Sequence, residues 1–222
     1  MAIGLQICSG TEWRVLKQIW EVTAPAIYPY GEYWGTSIGG HPCVFFHSRR
    51  TKVRAAGACQ FGIDKWAVDR LVVLGTCGGV DPSRRVFDII QATRTLQYDC
   101  HDKRPGMGAE TMSPAWPALA AISGRCHLGA LASADHDMTH ADLAPLRALD
   151  VMGADWESAA ISAVCALNRI PWLILRGISD IPRDPGAADH ERQLSDYKKN
   201  APVIMETLLS WVPELVSLLG SG

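Results

Sequence analysis

The chain has 222 residues, of which 48% are hydrophobic and 20% charged, and its formal net charge at pH 7 is −2. This balance is typical of a globular protein, and we expect residues 1–222 to form a single domain. A net charge so close to zero gives no electrostatic reason to expect nucleic acid or an anionic membrane as a partner.

Apolar segments and cysteines narrow the class further. No apolar run approaches the ~20 residues that a membrane-spanning helix needs. The N-terminus lacks the basic region and long apolar segment of a secretory signal. The seven cysteines are scattered without C-x-x-C pairs, which indicates ordinary thiols in a reducing compartment and no zinc site. We therefore expect a cytoplasmic protein that needs no metal.

The N-terminal half alternates strand and helix patterns. Thr11 is expected to cap a helix with Trp13, Leu16, Ile19 and Trp20 on its apolar face. The predicted elements are, in order, a strand at 2–7, the helix from Thr11, hairpin strands at 32–38 and 42–47, a helix at 52–66 and a buried strand at 70–75.

The C-terminal half continues the alternation. Its predicted elements are strands near 86–98 and 126–132, a helix at 155–167 with Leu167 on its buried side, a strand at 173–175 and a helix at 201–219 that Pro213 bends or divides. Strands alternating with helices indicate a three-layer α/β/α fold around a central mixed sheet. In such folds, ligand sites lie at the carboxyl ends of the strands.

One candidate ligand segment is GTCGGVDP, residues 75–82, which follows the 70–75 strand. We interpret it as a glycine-rich turn in which backbone N–H groups come close to a ligand, with Thr76, Cys77 and Gly78 beside it. A tight turn without any ligand fits equally well. The segment lacks both the G-x-G-x-x-G spacing and a P-loop lysine, so nothing here indicates dinucleotide or triphosphate binding.

Acidic residues mark further candidates. Asp155, at the predicted start of the 155–167 helix, is expected to complement the helix dipole. Glu157 stands among small apolar residues and needs a partner, for which two vicinal hydroxyls of a ligand are suitable. Glu12 follows the first strand and, taken alone, fits a solvated acid in the first turn of a helix.

RGISD, residues 176–180, places an arginine and an aspartate at the end of a buried strand. The spacing suggests that Arg176 and Asp180 lie near each other. They would then form either a structural ion pair or a site in which the proton affinity of Asp180 is adjusted. An adjusted aspartate is suited to donating a proton to a leaving group.

Together these segments resemble the superfamily of purine nucleosidases and nucleoside phosphorylases, most closely the 5′-methylthioadenosine/S-adenosylhomocysteine nucleosidase family. The matching stretches occur in the family's order and cover most of the chain. They are the IG of the first strand (3–4) with Glu12 following, SRRTKV (48–53), GTCGGVDPSRRVFDI (75–89), YD (98–99), SAD (133–135), DWESAAISAVC (155–165) and RGISD (176–180).

The resemblance implies a role for each matching residue. Asp180 resembles the aspartate that protonates the purine at N7, and Arg176 the arginine that supports it. Glu157 resembles the glutamate that holds the ribose hydroxyls, Glu12 the residue that activates the attacking water, and Thr76 a residue near the ribose. It also implies a small purine nucleoside as ligand, no cofactor, and a homodimer, with a hexamer as the alternative.

Several positions depart from the nucleosidase pattern. Arg49 and Arg50 replace small and apolar residues, Trp156 replaces a methionine, and Ser9 falls where an apolar residue is usual. Asp137, after His136, stands where nucleosidases carry a phenylalanine that packs on the base. These changes leave the base and the 5′ group open.

The resemblance places Arg50 near the 5′ position of the sugar. There it would reach solvent, pair with a carboxylate such as Asp137, or meet a polar or anionic 5′ substituent. The last of these predicts poor cleavage of methylthioadenosine.

Four functions remain to be compared: a nucleosidase, a phosphorylase, an inactive nucleoside-binding protein and a dinucleotide oxidoreductase. Val73 and Leu74 stand where hexameric phosphorylases carry a phosphate-binding arginine, which favours water as the nucleophile. Arg49 and Arg50 favour phosphate instead. An inactive nucleoside-binding protein is disfavoured because Glu12, Glu157 and Asp180 are all present. A dinucleotide oxidoreductase is disfavoured because the glycine spacing is wrong.

Overall fold

The structure is a computed structural model and describes residues 1–100, 111–112 and 124–220. The strands in these residues are β1 (Ala2–Ile7), β2 (Ala26–Tyr28), β3 (Gly31–Ile38), β4 (His41–His47), β5 (Val68–Gly79), β6 (Ile89–Gln97), β7 (Thr111–Met112), β8 (His127–Ser133), β9 (Val151–Asp155) and β10 (Trp172–Asp180). The helices are α1 (Gly10–Ile19), α2 (Lys52–Trp66), α3 (His140–Ala148), α4 (Ser158–Leu167), α5 (Ala187–Ser210) and α6 (Val212–Gly220).

The central strands carry apolar residues on both faces. Successive side chains of a strand point to opposite sides of the sheet. In β5, Val72 and Leu74 share a core with residues of α1, α5 and α6, whereas Leu71 and Val73 share one with residues of α2 and α4. Helices therefore cover both faces, and the predicted α/β fold with a central mixed sheet is confirmed.

The sheet combines parallel and antiparallel pairs. Its strand order is β10-β6-β8-β9-β5-β1-β4-β3-β2, with an additional β10–β5 pairing. That pairing closes β5, β10, β6, β8 and β9 into a ring. Strand β5 is long enough to pair with three strands: β1 along its first half, β10 over Leu71–Gly78, and β9 at Gly78 and Gly79. The carboxyl ends of β5, β9 and β10 consequently meet.

Segment 75–82 is corrected by the structure. Residues 75–79 do not form a turn, because they continue β5 as extended chain hydrogen-bonded to β10. The reason for glycine is close approach. An added Cβ at Gly75 would collide with Nη1 of Arg176 and would lie 3.1 Å from both carboxylate oxygens of Glu12.

Two helix starts also differ from prediction. Helix α1 is capped by Ser9 and not by Thr11, and Ile19 is 44% exposed. Helix α4 begins at Ser158, because the chain remains in strand β9 up to Asp155. Leu167, expected on the buried side of this helix, is 85% exposed.

The C-terminal helical region is longer than predicted. Helix α5 begins at Ala187, and the division between the two helices falls at Trp211. Pro213 therefore lies in the first turn of α6, where proline is tolerated.

By length and composition alone, the stretch Ala187–Gly220 is apolar enough to cross a membrane. In this fold its leucines at 208, 209, 215 and 219 are buried in the core beside β1 and β10. They account for much of its apolar character.

Candidate active site

A cleft opens where β5, β9 and β10 end, between the start of α1 and the side of α5. It contains about 810 Å³ of atom-free space, including the solvent at its open mouth. Its lining residues are Ser9, Glu12, Arg50, Thr76, Cys77, Gly78, Tyr98, His136, Asp137, Met138, Ala154, Asp155, Trp156, Glu157, Ser179, Asp180, His190, Gln193, Leu194 and Tyr197.

The structure brings together nine of the ten site residues predicted from the sequence. All but Arg176 line the cleft. This convergence joins segments that lie far apart in the chain, from Glu12 to Asp180. It places the predicted residues in one site and leaves their individual roles to experiment.

Glu12 is oriented from two sides. Its Oε1 atom accepts hydrogen bonds from the backbone N–H of Thr76 at 2.8 Å and from the Thr76 hydroxyl at 2.7 Å. Its Oε2 atom accepts the Ser9 backbone N–H at 3.2 Å, completing a capping box at the start of α1. Glu12 is 2% exposed, so the interpretation as a solvated first-turn acid is wrong.

Arg176 is buried behind the cleft and does not pair with Asp180. Its Nε lies 2.8 Å from Oδ2 of Asp155, and its Nη2 lies 3.5 Å from Oε2 of Glu157. Four positions along a strand span about 13 Å, which separates the Arg176 and Asp180 side chains. The expected proximity of Arg176 to Asp180 is therefore corrected, because the arginine lies beside Asp155 at the end of β9 and Glu157 just after it.

Asp155 connects this ion pair to helix α4. Its Oδ1 accepts the backbone N–H groups of Glu157 and Ser158, each at 3.1 Å, and the Ser133 hydroxyl at 2.6 Å. The expected interaction of Asp155 with the helix start is therefore confirmed. The buried ion pair with Arg176 is an additional role that the sequence did not indicate.

Glu157 is a buried carboxyl group at the middle of the cleft, only 5% exposed. Burial raises its pKa to about 8, with further increases from Asp155 and Glu12 and an opposing effect of Arg176. A hydrogen bond with the backbone of Thr51 and the charge of Arg176 only partly offset the effect of burial on this pKa. Donors from a ligand, such as hydroxyl groups, would favour its ionised form.

Asp180 ends strand β10 at one end of the cleft. Burial raises its pKa to about 6, while a hydrogen bond from the Ser179 hydroxyl, at 2.6 Å, opposes the increase. The neighbouring carboxylates Asp137 and Asp196 raise the pKa further. Near neutral pH a fraction of Asp180 therefore carries a proton that it can donate.

Gly78 and Cys77 form the floor near Asp180. A Cβ added at Gly78 would lie 2.7 Å from Cε of Met138 and 3.6 Å from Oδ2 of Asp180. The thiol of Cys77 is buried, and burial raises its pKa well above the ordinary value. Cys77 is therefore a neutral wall of the cleft and is not suited to act as a nucleophile.

Arg50 lies at a different part of the cleft. Its guanidinium carbon is 5.6 Å from the centroid of the Trp156 ring, within the range of a cation–π contact. Asp137, one of its expected partners, instead has Nδ1 of His190 at 3.8 Å from its Oδ2. The Ser9 and Tyr197 hydroxyls are hydrogen-bonded to each other in the same cleft.

Sequence reasoning missed one wall of the cleft. His190, Gln193, Leu194 and Tyr197 come from α5, whose first half is polar and gave no clear apolar periodicity. Their spacing of three to four residues places them on one helix face and was the available signal. Among the described residues, no cluster of His, Cys, Asp or Glu is arranged to hold a metal ion.

Comparison with known families agrees with this fold and cleft. A family model described as the phosphorylase superfamily matches residues 29–213, so the chain belongs to that superfamily. The resemblance inferred from the sequence motifs is thereby confirmed.

Particular relatives have nucleosidase names. A 5′-methylthioadenosine/S-adenosylhomocysteine nucleosidase of Anoxybacillus flavithermus is 26% identical over 196 residues, covering 80% of this chain and 84% of the relative. The same-named enzyme of Neisseria meningitidis, solved with methylthio-immucillin-A, has a TM-score of 0.81 at 20% identity, covering 97% of this chain and 98% of that one. Futalosine hydrolase of Helicobacter pylori has a TM-score of 0.80 at 19% identity, covering 96% and 98%.

Proposed function

We propose that this protein is a nucleosidase that hydrolyses the N-glycosidic bond of a purine nucleoside modified at its 5′ position. The observation that carries the proposal is the convergence of Glu12, Glu157 and Asp180, from three separate elements, on one cleft. The relatives named as nucleosidases and as a futalosine hydrolase support the same reaction class.

Asp180 is proposed to protonate the purine at N7. Breaking the bond between C1′ and N9 moves its electron pair onto the departing base, and a proton at N7 neutralises the resulting negative charge. Burial raises the pKa of Asp180 to about 6, which keeps a useful fraction of it protonated near neutral pH. A positioned general acid typically contributes about 10²–10⁴-fold to a rate.

Glu157 is proposed to hold the two ribose hydroxyls, and its negative charge would then stabilise the positive charge that develops on the sugar. Arg176 acts through Glu157 and Asp155, from which its nitrogens lie 3.5 and 2.8 Å away. It is a positioning residue, because its guanidinium lies behind these carboxylates and not in the cleft.

Glu12 is proposed to take a proton from the attacking water, whose oxygen adds to C1′. The two hydrogen bonds from Thr76 and the one from the Ser9 backbone hold the Glu12 carboxylate in place. After the reaction Glu12 carries the proton that the water lost and Asp180 has given one to the base. Exchange with solvent restores both groups.

A phosphorylase is the second candidate, and Arg50 is the observation that favours it. Arg50 is the one arginine or lysine among the described residues of the cleft, and arginine matches phosphate well. Water is favoured because Val73 and Leu74, where a phosphate-binding arginine would stand, are buried in the sheet core.

Product analysis separates the two reactions. The protein is incubated with a panel of 5′-modified purine nucleosides, with and without phosphate, and the sugar product is identified by mass spectrometry. Free sugar independent of phosphate supports the nucleosidase. A 1-phosphorylated sugar supports the phosphorylase, and absence of any base release contradicts both.

We further propose a cytoplasmic homodimer. All seven cysteines are free, which fits a reducing compartment. The dimer rests on the family resemblance, and light scattering coupled to gel filtration tests it against the hexamer.

A further inference from the structure

The end of the cleft that contains Arg50 is unlike the end that contains Asp180. The groups that act most strongly on Asp180 are Ser179 and three charged residues, Asp196, Asp137 and Arg192. The side chains around Arg50 are instead Trp156 and Tyr197: the guanidinium lies over the Trp156 ring, and its charge acts on the Tyr197 hydroxyl. The cleft therefore has an acidic end at Asp180 and a cationic end at Arg50, where the Glu12 carboxylate also acts on the Tyr197 hydroxyl.

The cationic end carries unsatisfied binding capacity. No carboxylate of the described residues pairs with Arg50, since Glu157 is paired with Arg176 and Asp137 with His190. The Tyr197 hydroxyl is hydrogen-bonded to the Ser9 hydroxyl and to the Thr11 side chain, and three hydroxyls joined by two hydrogen bonds leave one proton for another acceptor. One guanidinium, two hydroxyls and an indole face thus surround this end of the cleft.

The geometry of a nucleoside relates the two ends. The base and the 5′ substituent leave the ribose ring from C1′ and C4′, on either side of the ring oxygen. With the base at Asp180 and the ribose hydroxyls at Glu157, the 5′ substituent extends away from Asp180. The family resemblance places Arg50 at this 5′ side, and the ring that Arg50 contacts belongs to Trp156, the immediate neighbour of Glu157 in sequence.

We infer that Arg50, with Ser9 and Tyr197, forms a subsite for an anionic 5′ substituent, a carboxylate or a phosphate group, attached to the nucleoside. The subsite deepens the proposed function and rests on it for the placement of base and ribose. Arg50 donates charge-assisted hydrogen bonds to the anion, the hydroxyl pair supplies a further donor, and the indole face of Trp156 covers the atoms that link the anion to the sugar. A thioether would leave these donors without an acceptor.

The test uses adenosine derivatives that differ only at the 5′ end. Adenosine-5′-carboxylate and adenosine-5′-carboxamide have nearly the same shape but different charge, adenosine-5′-phosphate adds the second anion, and methylthioadenosine is the apolar reference. Both kcat/KM for base release and the dissociation constant by calorimetry are measured. We expect the carboxylate or the phosphate to be preferred over the carboxamide by about tenfold to a hundredfold. Because Arg50 is exposed, the preference should shrink as salt is added.

Matched variants show which residue causes the preference for an anionic 5′ substituent. Arg50→Met keeps the approximate length of the side chain and should reduce the preference for the anion to near unity. Arg49→Met is the control, because Arg49 lines a separate depression beside Trp13 and His47 and should leave the preference unchanged. Arg50→Lys should retain part of the preference, because lysine keeps the positive charge but lacks the planar pair of N–H donors of a guanidinium.

The outcomes distinguish this subsite from the reaction itself. If base is released and the carboxylate and carboxamide have equal kcat/KM and equal dissociation constants, the subsite is wrong and the proposed nucleosidase activity stands. An Arg50-dependent preference in binding without base release supports the subsite and overturns the reaction. Loss of phosphate-dependent turnover in Arg50→Met, with the 5′ preference unchanged, assigns Arg50 to the nucleophile and overturns the subsite. Absence of both turnover and binding overturns both proposals.

Discussion

The Glu12 carboxylate is joined to Thr76 by two hydrogen bonds, at 2.8 Å from the backbone N–H and at 2.7 Å from the side-chain hydroxyl. Helix α1 and strand β5 thereby hold one carboxylate oxygen in a fixed place beside Gly75. At that position the absence of a Cβ is required, because a Cβ would lie 3.1 Å from both oxygens. This arrangement orients Glu12 toward the cleft before any ligand arrives.

Glu12→Gln is expected to slow base release strongly and to leave binding nearly unchanged. Glutamine keeps the shape and an oxygen acceptor for Thr76, but it cannot take a proton from water. The loss should therefore appear in kcat, by about 10²–10⁴-fold. Affinity for a non-cleavable nucleoside analogue, measured by calorimetry, should stay within about fivefold of wild type. A collapse of affinity with turnover retained would assign Glu12 to binding.

Asp180→Asn is expected to slow base release by about 10²–10⁴-fold in a folded protein. Asparagine has nearly the same shape, but it has no acidic proton to give to N7, and the Ser179 hydroxyl can still donate to its oxygen. Circular dichroism and thermal unfolding serve as the folding control. A folded variant that retains most of the turnover would remove Asp180 from the mechanism.

The pH profile of wild-type kcat/KM should reveal the same group. Burial raises the pKa of Asp180 to about 6, so the protonated form required for catalysis dominates below that pH and declines above it. The ionised Glu157 that the mechanism also requires has a pKa raised by burial to about 8, so kcat/KM should rise up to about pH 6 and stay level between the two pKa values. The descending limb, which reports the loss of the Asp180 proton, should therefore lie near pH 8 and fall about tenfold per pH unit. It should be missing from the residual activity of Asp180→Asn. An unchanged descending limb in that variant would assign the titration to another group.

The apolar periodicity of the sequence was sufficient to predict the layered fold. Leu71 to Leu74, for example, form a continuous apolar run because helices cover both faces of β5. Residues 75–79 were misinterpreted as a turn because glycine, threonine and cysteine have no strong strand signal. The extended conformation there comes from pairing with β10 and β9, which local sequence does not encode.

The site was predictable where a motif carried it and not where tertiary contacts did. Glu157 and Asp180 belong to recognisable stretches, and both line the cleft. The predicted neighbour of Arg176, Asp180, was wrong because sequence spacing does not reveal which strand ends beside the arginine. That strand is β9, which ends at Asp155. Tyr197 was missed because a polar helix face facing a cleft resembles one facing solvent.

Alanine substitutions at Gly75 and Gly78 should distinguish a glycine needed for stability from a glycine needed for substrate binding. Gly75→Ala is expected to destabilise the protein by about 1–3 kcal/mol or more, since its Cβ meets the buried Arg176 and Glu12. Gly78→Ala should cost less, because its nearest neighbour is the flexible end of Met138 at 2.7 Å, and should mainly raise KM by narrowing the cleft beside Asp180.

Gly35→Ala is the matched control for these two, because this strand glycine has no neighbour within 4 Å of an added Cβ. Urea unfolding gives the stabilities, and steady-state kinetics the KM values. Equal effects at positions 75 and 35 would contradict the close approach of Arg176 and Glu12 to β5.

The stability of the protein should depend on pH through Glu157. Burial raises its pKa in the folded state from the ordinary 4.5 to about 8. The folded protein thus holds this proton more tightly than the unfolded chain, and the associated stability is fully present below about pH 4.5 and is lost as the pH rises through about 8. Glu157→Gln removes the titration while keeping the shape, and Arg176 keeps Asp155 as its partner. Relative to wild type, the free energy of unfolding of the variant should increase between pH 5 and pH 8.5. The increase is roughly 3–5 kcal/mol at most, because each unit of pKa difference corresponds to about 1.36 kcal/mol.

Urea unfolding at the two pH values measures this increase. Glu206→Gln, at an exposed position of helix α5, is the control and should show no such increase. A difference between Glu157→Gln and wild type that is the same at both pH values would mean that Glu157 is already ionised in the folded protein.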